Sequence, residues 1–342
     1  MSGRVTIKSI AKDLGISHMT VSRALSDNPN VQKETRDRIV KRARELGYVK
    51  SAAAKAMRGD GSGIVGLLLP NIVNEFYARF ANAMAQACEG RSLHLIIHLT
   101  NDNIAQEQVA LDRLREVQAT AVVMVPTPDD GGANAVDLAG MKAIQLIRQR
   151  PGLGEDNAVL VDDSAAICDA VQNLARAGHR AIGYIGGDGA LSSGRIRLAA
   201  YLEGLNRAGL SELPELIQTG TPSFDMGRDR ANRLLKEGHA TGLICGGVEI
   251  SNGALSTLMD QGVHPVRDFA FVGYGDPSFY AWVAGGITTV RLPVDNLAHA
   301  AVDLLNAGDD PETSNGVRRF DATLVVRGGA CPVGTAIKDR QT

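Results

Sequence analysis

The sequence predicts a small all-α helix-turn-helix head joined to an α/β body of two doubly wound parallel-sheet subdomains. Three observations carry this expectation. Residues 1–60 hold 13 Lys and Arg against 6 Asp and Glu, a net +7, while the remaining 282 hold 23 against 32, a net −9. The basic part contains three short amphipathic segments separated by a glycine and by turn residues. The acidic part alternates short apolar runs with helical patterns in two successive series, the signature of parallel sheets covered on both faces. At 342 residues the chain suits two or three domains, and its 44% hydrophobic and 22% charged residues are ordinary for a globular protein.

In the head, Thr6 can cap a helix through Ile7, Ile10, Ala11 and Leu14, a spacing that puts the apolar residues on one face. Gly15 ends it, because a tight interhelical turn needs a backbone that tolerates positive φ. Ser17 then caps a second helix in "GISHMTVSRAL" (15–25). Val21, Ala24 and Leu25 turn toward the first helix, whereas His18, Met19, Thr20, Ser22 and Arg23 face outward. After the loop "DNPNV" (27–31), "QKETRDRIVKRARELGY" (32–48) forms a third helix. Its Ile39, Val40, Ala43 and Leu46 close a three-helix core, and Gly47 stops it. A second helix with so little for the core belongs in the major groove, where base edges and phosphates take up its hydrogen-bonding capacity. His18 and Met19, at its leading end, are the candidate base readers. Arg23, one turn on, can fork onto a guanine, and Thr20 and Ser22 grip phosphate. The split charge likewise points to a polyanion partner for the head alone.

The stretch "TIKSIAKDLGISHMTVSRALSDNPNVQKETRDRIVKRARELGY" (6–48), with "TVSRAL" followed by "ETRDRIVKRARELGY", resembles the DNA-binding head of the lac-repressor (LacI/GalR) family of bacterial transcription regulators. The likeness continues to about residue 330. It implies a homodimer that presents two heads to a pseudo-palindromic double-stranded operator, and a small-molecule effector in the body that alters the affinity. It also implies DNA contacts from Thr6, Ser17, Asn30, Ala54 and Met57. The last two lie in the hinge "KSAAAKAMRGDGSG" (50–63), whose first half has strong helix formers but almost no apolar surface, so that alone in water it is marginal. In the family this segment folds on operator and wedges a leucine into the minor groove; here Met57 stands at that position, and an apolar methionine can serve. The prolines that family members carry near Lys50 are absent.

The body begins with "IVGLLLP" (64–70), a helix over 75–89, "LHLIIHLT" (93–100), a helix over 104–117 and "AVVMVP" (121–126). "KAIQLIR" (142–148) and "AVLVDD" (158–163) follow. The pattern then restarts with helix 164–177, "AIGYIGG" (181–187), helix 194–208, "GLICGG" (242–247), helix 250–261, "FAFVGYG" (269–275), "ITTVRLP" (287–293) and helix 294–307. This resembles the periplasmic-binding-protein-like fold of the family's effector domain, in which the chain crosses between subdomains three times, here near 161–163, 289–292 and 320–323. The expected organisation is a DNA-binding domain over 1–49, a hinge over 50–62 and an effector domain over 63–342. Its N-subdomain takes about 63–161 and 291–320, and its C-subdomain about 162–290 and 321–342.

The cleft between such subdomains, where strand C-termini converge, is the default ligand site. The resemblance carries over Phe76 and Tyr77 as cleft aromatics and Arg197 as an arginine that bonds ligand oxygens. Sugar-binding relatives follow the strand at 242–245 with an Asn-Asp pair, where this chain has Gly247 and Val248. They carry aspartate after "VGY", where it has Gly275, followed by Asp276. Arg148 stands where an acidic or small polar residue is common. Losing acceptors and gaining a cation favours an anionic effector over a neutral sugar.

Other functions find less support. "GYIGGDG" (183–189) is glycine-rich after a strand but does not have GxGxxG spacing, and no P-loop, GxSxG or HExxH occurs. The only close histidine pair, His94 and His98, falls in a predicted strand and not at metal-ligand spacing on a helix. No metal, cofactor or catalytic residue is expected. Cys88, Cys168, Cys245 and Cys331 are far apart, as reduced thiols in a cytoplasm would be. The N-terminus "MSGRVTIKSI" lacks a signal-peptide core, no apolar run reaches membrane-spanning length, and no leucine heptads follow "VGTAIKDRQT", so a dimer is expected over a tetramer. The alternative readings, a solute-binding protein or a sugar-metabolising enzyme on the same two-lobed fold, would leave the basic head unused.

Overall fold

The structure, a computed structural model, describes residues 5–26, 28–48, 62–91, 93–128, 138, 140–153, 157–237, 239–306 and 316–328. Contacts divide the chain into two compact units, Met1–Ser62 and Gly63–Thr342.

The first unit holds α1 (Ile7–Leu14), α2 (His18–Leu25) and α3 (Lys33–Glu45). Thr6 begins α1 as a capping box: its hydroxyl accepts from the Ser9 amide, and the Ser9 hydroxyl accepts from the Thr6 amide. Gly15 closes α1 at φ 65°, and its amide donates to the Ala11 carbonyl. Ile10, Ala11, Val21, Ala24, Ile39 and Ala43 of the three helices, with Val31 of the loop before α3, form a buried core. Arg42 of α3 grips Asp13 of α1 with two nitrogens, at 2.5 and 3.0 Å, which holds the Asp13 carboxyl below its ordinary range. A Gly15→Ala variant should lose about 1–2 kcal/mol, because a Cβ strains the left-handed conformation even though space is open around it. A urea titration of the head's helical signal measures this.

The second unit contains two six-stranded sheets. One has the order β2 (His94–Leu99), β1 (Ile64–Leu69), β3 (Ala121–Met124), β4 (Lys142–Leu146), β5 (Asn157–Asp162), β11 (Gly316–Asp321), and all of its pairings are parallel. The other has the order β7 (Ile217–Gly220), β6 (Ile182–Gly187), β8 (Gly242–Cys245), β9 (Ala270–Tyr274), β10 (Thr288–Arg291), β12 (Thr323–Val325). It is parallel except where β12 runs antiparallel to β10. The chain therefore passes between sheets three times: after Asp162, between Arg291 and Gly316, and at Ala322.

Helices α4 (Glu75–Glu89), α5 (Ile104–Glu116) and α10 (Val294–Asn306) pack against the first sheet or each other, and α6 (Ser164–Arg176), α7 (Ser192–Arg207), α8 (Phe224–Glu237) and α9 (Val248–Asp260) belong with the second. In α4, Phe76, Phe80, Ala83, Met84 and Cys88 recur at helical spacing and are buried against the largest apolar cluster, which takes residues from both subdomains. Helices α8 and α9 approach closely because each has a glycine at the crossing. A Cβ on Gly227 would overlap the Ile250 carbonyl oxygen, and one on Gly253 would overlap that of Phe224.

The structure departs from the sequence reading at the margins. β2 is half-exposed and not a buried run, because it is an edge strand. β7, α8, β11 and β12 were not predicted: β7 ("IQTG") and β12 ("TLV") are too short for a pattern, and β11 ("GVRRFD") is a half-exposed edge strand with three charged residues and no apolar run. Helices α7 and α9 each begin two residues earlier than their spacing suggests. Cys88, Cys168 and Cys245 are buried free thiols. Among the described residues no helix is long and apolar enough to cross a membrane, and no His, Cys, Asp and Glu cluster could hold a metal ion.

Candidate functional site

Two surfaces concentrate the predicted residues. On the head, Ser17 caps α2 by accepting from the Thr20 amide at 3.1 Å, and the two hydroxyls bond at 2.9 Å. Of the eight residues of α2, Val21 and Ala24 alone are buried. His18, Met19 and Arg23 are exposed, Met19 to 51% despite its apolar side chain, and Thr20 and Ser22 are half-buried. The Arg23 side chain has no hydrogen-bond or ion-pair partner among the described residues, so its guanidinium is available to a ligand. Thr6 is exposed, with its hydroxyl engaged in the α1 cap, and Asn30 is exposed in the loop before α3, where its amide donates to the Asn28 side chain. Ala54 and Met57 lie outside the described residues.

In the body, one cavity of about 270 Å³ opens where the C-terminal ends of both sheets meet. The first subdomain lines it with Pro70 and Asn71 after β1, Asn101 and Asp102 after β2, Ile147 and Arg148 after β4, and Asn74, Phe76 and Tyr77 at the start of α4. The second contributes the starts of α7 (Ser193, Gly194, Arg197) and α9 (Val248, Glu249, Ile250), with Thr221 to Ser223 after β7 and Tyr274 at the end of β9. Three helix N-termini thus open onto one space. The α4 terminus is capped by Asn74, whose side chain accepts from the Phe76 amide. The α7 and α9 termini have Leu191 and Gly247 at the capping position and no side-chain cap.

A buried network fixes Arg197. Its Nε donates to Asp163 at 2.6 Å, its Nη1 donates to the Gly246 carbonyl at 3.1 Å, and its guanidinium lies 4.4 Å from the Tyr274 ring centroid. The Tyr274 hydroxyl also donates to Asp163, and burial pushes that hydroxyl's pKa well above its ordinary value, so it remains a donor. Arg148 pairs with Asp102 across the loops after β4 and β2. Burial pushes the Tyr77 hydroxyl up to about 12. Among the described residues three pairs bond across the cleft: Asn71 to Glu249 at 3.1 Å, the Ser278 amide to Glu75 at 3.0 Å, and the Gln149 amide to Ser192 at 2.9 Å. Backbone strain gathers here too, with Asn101, Asp102 and the β-branched Ile147 all at positive φ.

The structure therefore brings Phe76, Tyr77, Arg148, Arg197 and Gly247 to one cavity. Gly275 and Asp276 are not among the residues that line it. Gly275 turns the chain at φ 92°, with Val248 occupying the space where its Cβ would stand. The Asp276 carboxylate is taken up by Arg291 at 2.7 Å and Arg327 at 2.5 Å. Burial raises its pKa, but the bonds from Arg327 and Arg291 outweigh this and leave it below the ordinary value. A folded-state pKa below the unfolded one gives stability that is present above about pH 4 and lost as pH falls through the folded value. An Asp276→Asn variant should be less stable near neutrality and lose less of its melting temperature on acidification from pH 6 to 3 (roughly spanning that window). Sequence reasoning missed Thr221 to Ser223, because the unpredicted β7 positions them. It also gave no role to Tyr274, which reads as an ordinary strand residue.

A capped, polar second helix on a basic three-helix head, together with a body of two mainly parallel sheets around a polar cleft, defines the class of helix-turn-helix transcriptional regulators with a two-lobed α/β body. Residues 6–51 match the bacterial regulatory proteins of the lacI family, and residues 171–329 match the periplasmic binding protein-like domain. Among curated proteins the chain is similar to the HTH-type transcriptional regulator GalR of Escherichia coli K12, at 28% identity over 331 residues and 94% of each chain. It is also similar to the HTH-type transcriptional repressor CytR of the same organism, at 24% identity over 325 residues, 94% of this chain and 95% of that one. Among solved structures it shares the fold of the lac repressor dimer bound to operator and the anti-inducer ONPF. The TM-score is 0.82 at 20% identity, over 96% of this chain and all of that one. Residues 6–51 are thus a lacI-family DNA-binding head, and the curated relatives named here are transcriptional regulators.

Proposed function

We propose that the protein is a cytoplasmic repressor that binds a pseudo-palindromic operator as a homodimer and is controlled by a sugar or sugar-derived effector in the cleft. The observation that carries this reading is the composition of α2: a helix capped at its N-terminus, with two buried residues and an outward face of His18, Met19, Thr20, Ser22 and Arg23. The lac repressor structure, whose chain is covered in full, is of a dimer on operator with a small molecule. Residues 1–49 read the major groove, 50–62 act as a hinge in which Ala54 and Met57 meet the minor groove, and 63–342 bind effector. Exposed apolar residues on the body, Leu99 and Val109 beside His98 and the 72%-exposed Trp282, are surface that a second copy can cover. Closure of the cleft around effector changes the separation of the two hinges in the dimer, and so the fraction able to fold on DNA.

Footprinting on chromosomal fragments tests this reading. The expected result is a protected palindrome of two half-sites whose occupancy falls steeply with salt, because phosphate contacts dominate affinity. Absence of any protected palindrome, with or without added metabolites, would exclude it.

A further inference from the structure

We infer that the small molecule taken up in the body's cleft carries an anionic oxygen group, a carboxylate or a phosphate, received by Arg148 and Arg197 together with the open N-termini of α7 and α9. This rests on the reading of the cleft as the effector site. Each carboxylate at the cavity already accepts from a protein donor. Asp102 accepts from Arg148, Asp163 accepts from both Arg197 and Tyr274, and Glu249 accepts from Asn71. The Asn71 side-chain Oδ1 accepts from the Asn74 backbone amide, and the Asn74 Oδ1 accepts from the Phe76 backbone amide.

The donors stand differently. Arg148 is 6% exposed, yet among the described residues only its Nη2 has a protein acceptor, and its Nε is buried with no partner there. Such a guanidinium is costly to leave unsatisfied, and a ligand oxygen would remove that cost. Arg197 uses Nε and Nη1, which leaves Nη2 without a partner among the described residues. Helices α7 and α9 present their first amides at the cavity with no side-chain cap, and each adds about half a positive charge there. Gly247 and Val248 supply no side-chain acceptor at the α9 end, and the carboxylate of Glu249 there is engaged by Asn71.

Calorimetric titration of the full chain with D-glucose, D-gluconate and D-glucose 6-phosphate tests the inference. The expected result is binding of gluconate or glucose 6-phosphate, whichever group the site fits, at least about tenfold tighter than glucose, with about 10- to 100-fold loss in Arg148→Gln. Arg148→Lys, which keeps a cation for Asp102 if the glutamine variant folds poorly, should lose part of that affinity because it lacks the fork. Glucose bound as tightly as either anion, and lost in Tyr77→Ala, overturns the inference while the cleft reading stands. Anion binding unchanged by both Arg148→Gln and Tyr77→Ala overturns both. No binding of any of the three at millimolar concentration overturns the inference.

Discussion

Replacing Asp163 by alanine should cost the body about 3–5 kcal/mol, because it strands a buried cation. The Asp163 side chain is 3% exposed and that of Arg197 12%, so solvent cannot take over the lost bond. The Tyr274 hydroxyl loses its acceptor in the same step. What would remain for Arg197 is one bond to the Gly246 carbonyl and the face of the Tyr274 ring. Asp163 follows directly on β5, where the chain first passes from one sheet to the other, so the loss falls on the junction of the subdomains as well as on the cavity wall. Urea unfolding of the full chain measures the effect. Asp163→Asn, which keeps an acceptor without the charge, should lose less. A loss under about 1 kcal/mol for the alanine variant would show that the network is solvated and that Arg197 is held by other means.

The second large effect is on DNA. Arg23→Ala should reduce discrimination between operator and random duplex by about 10- to 100-fold, the worth of about 1–3 kcal/mol for a bidentate contact to guanine. The variant should fold as the parent does, since Arg23 is exposed and the α2 cap and the Val21 and Ala24 contacts are untouched. Binding to random duplex should fall much less, because the remaining head charge still meets phosphate. Gel shifts against operator and scrambled duplex at one salt concentration give the ratio, and an unchanged ratio would remove Arg23 from the base-reading set.

The head was legible almost residue by residue. Thr6, Gly15, Ser17 and Gly47 mark helix ends by local backbone chemistry, and the apolar spacing of Ile10, Val21, Ala24, Ile39 and Ala43 needs no distant partner to be recognised. The alternation of the body was equally open, because parallel strands buried on both faces are apolar throughout, as β1 and β6 are. Edge strands were not. β7 and β11 are half-solvated and carry polar residues, so they do not announce themselves, and the loop at 221–223 stayed hidden with β7.

The sequence by itself determined that a basic helix-turn-helix precedes a two-lobed α/β body, and that Phe76, Tyr77, Arg148 and Arg197 are candidates for one cleft. Only the tertiary structure decided which carboxylate each cation meets. Asp102 reaches Arg148 from 46 residues away, Asp163 holds Arg197, and Asp276 turns from the cavity to Arg291 and Arg327. The physical reason is range. Caps and periodicity are set by neighbours within a turn or two of chain, whereas the pairing of a buried charge is set by whichever loops the two sheets bring together, and loop spacing along the chain does not encode that.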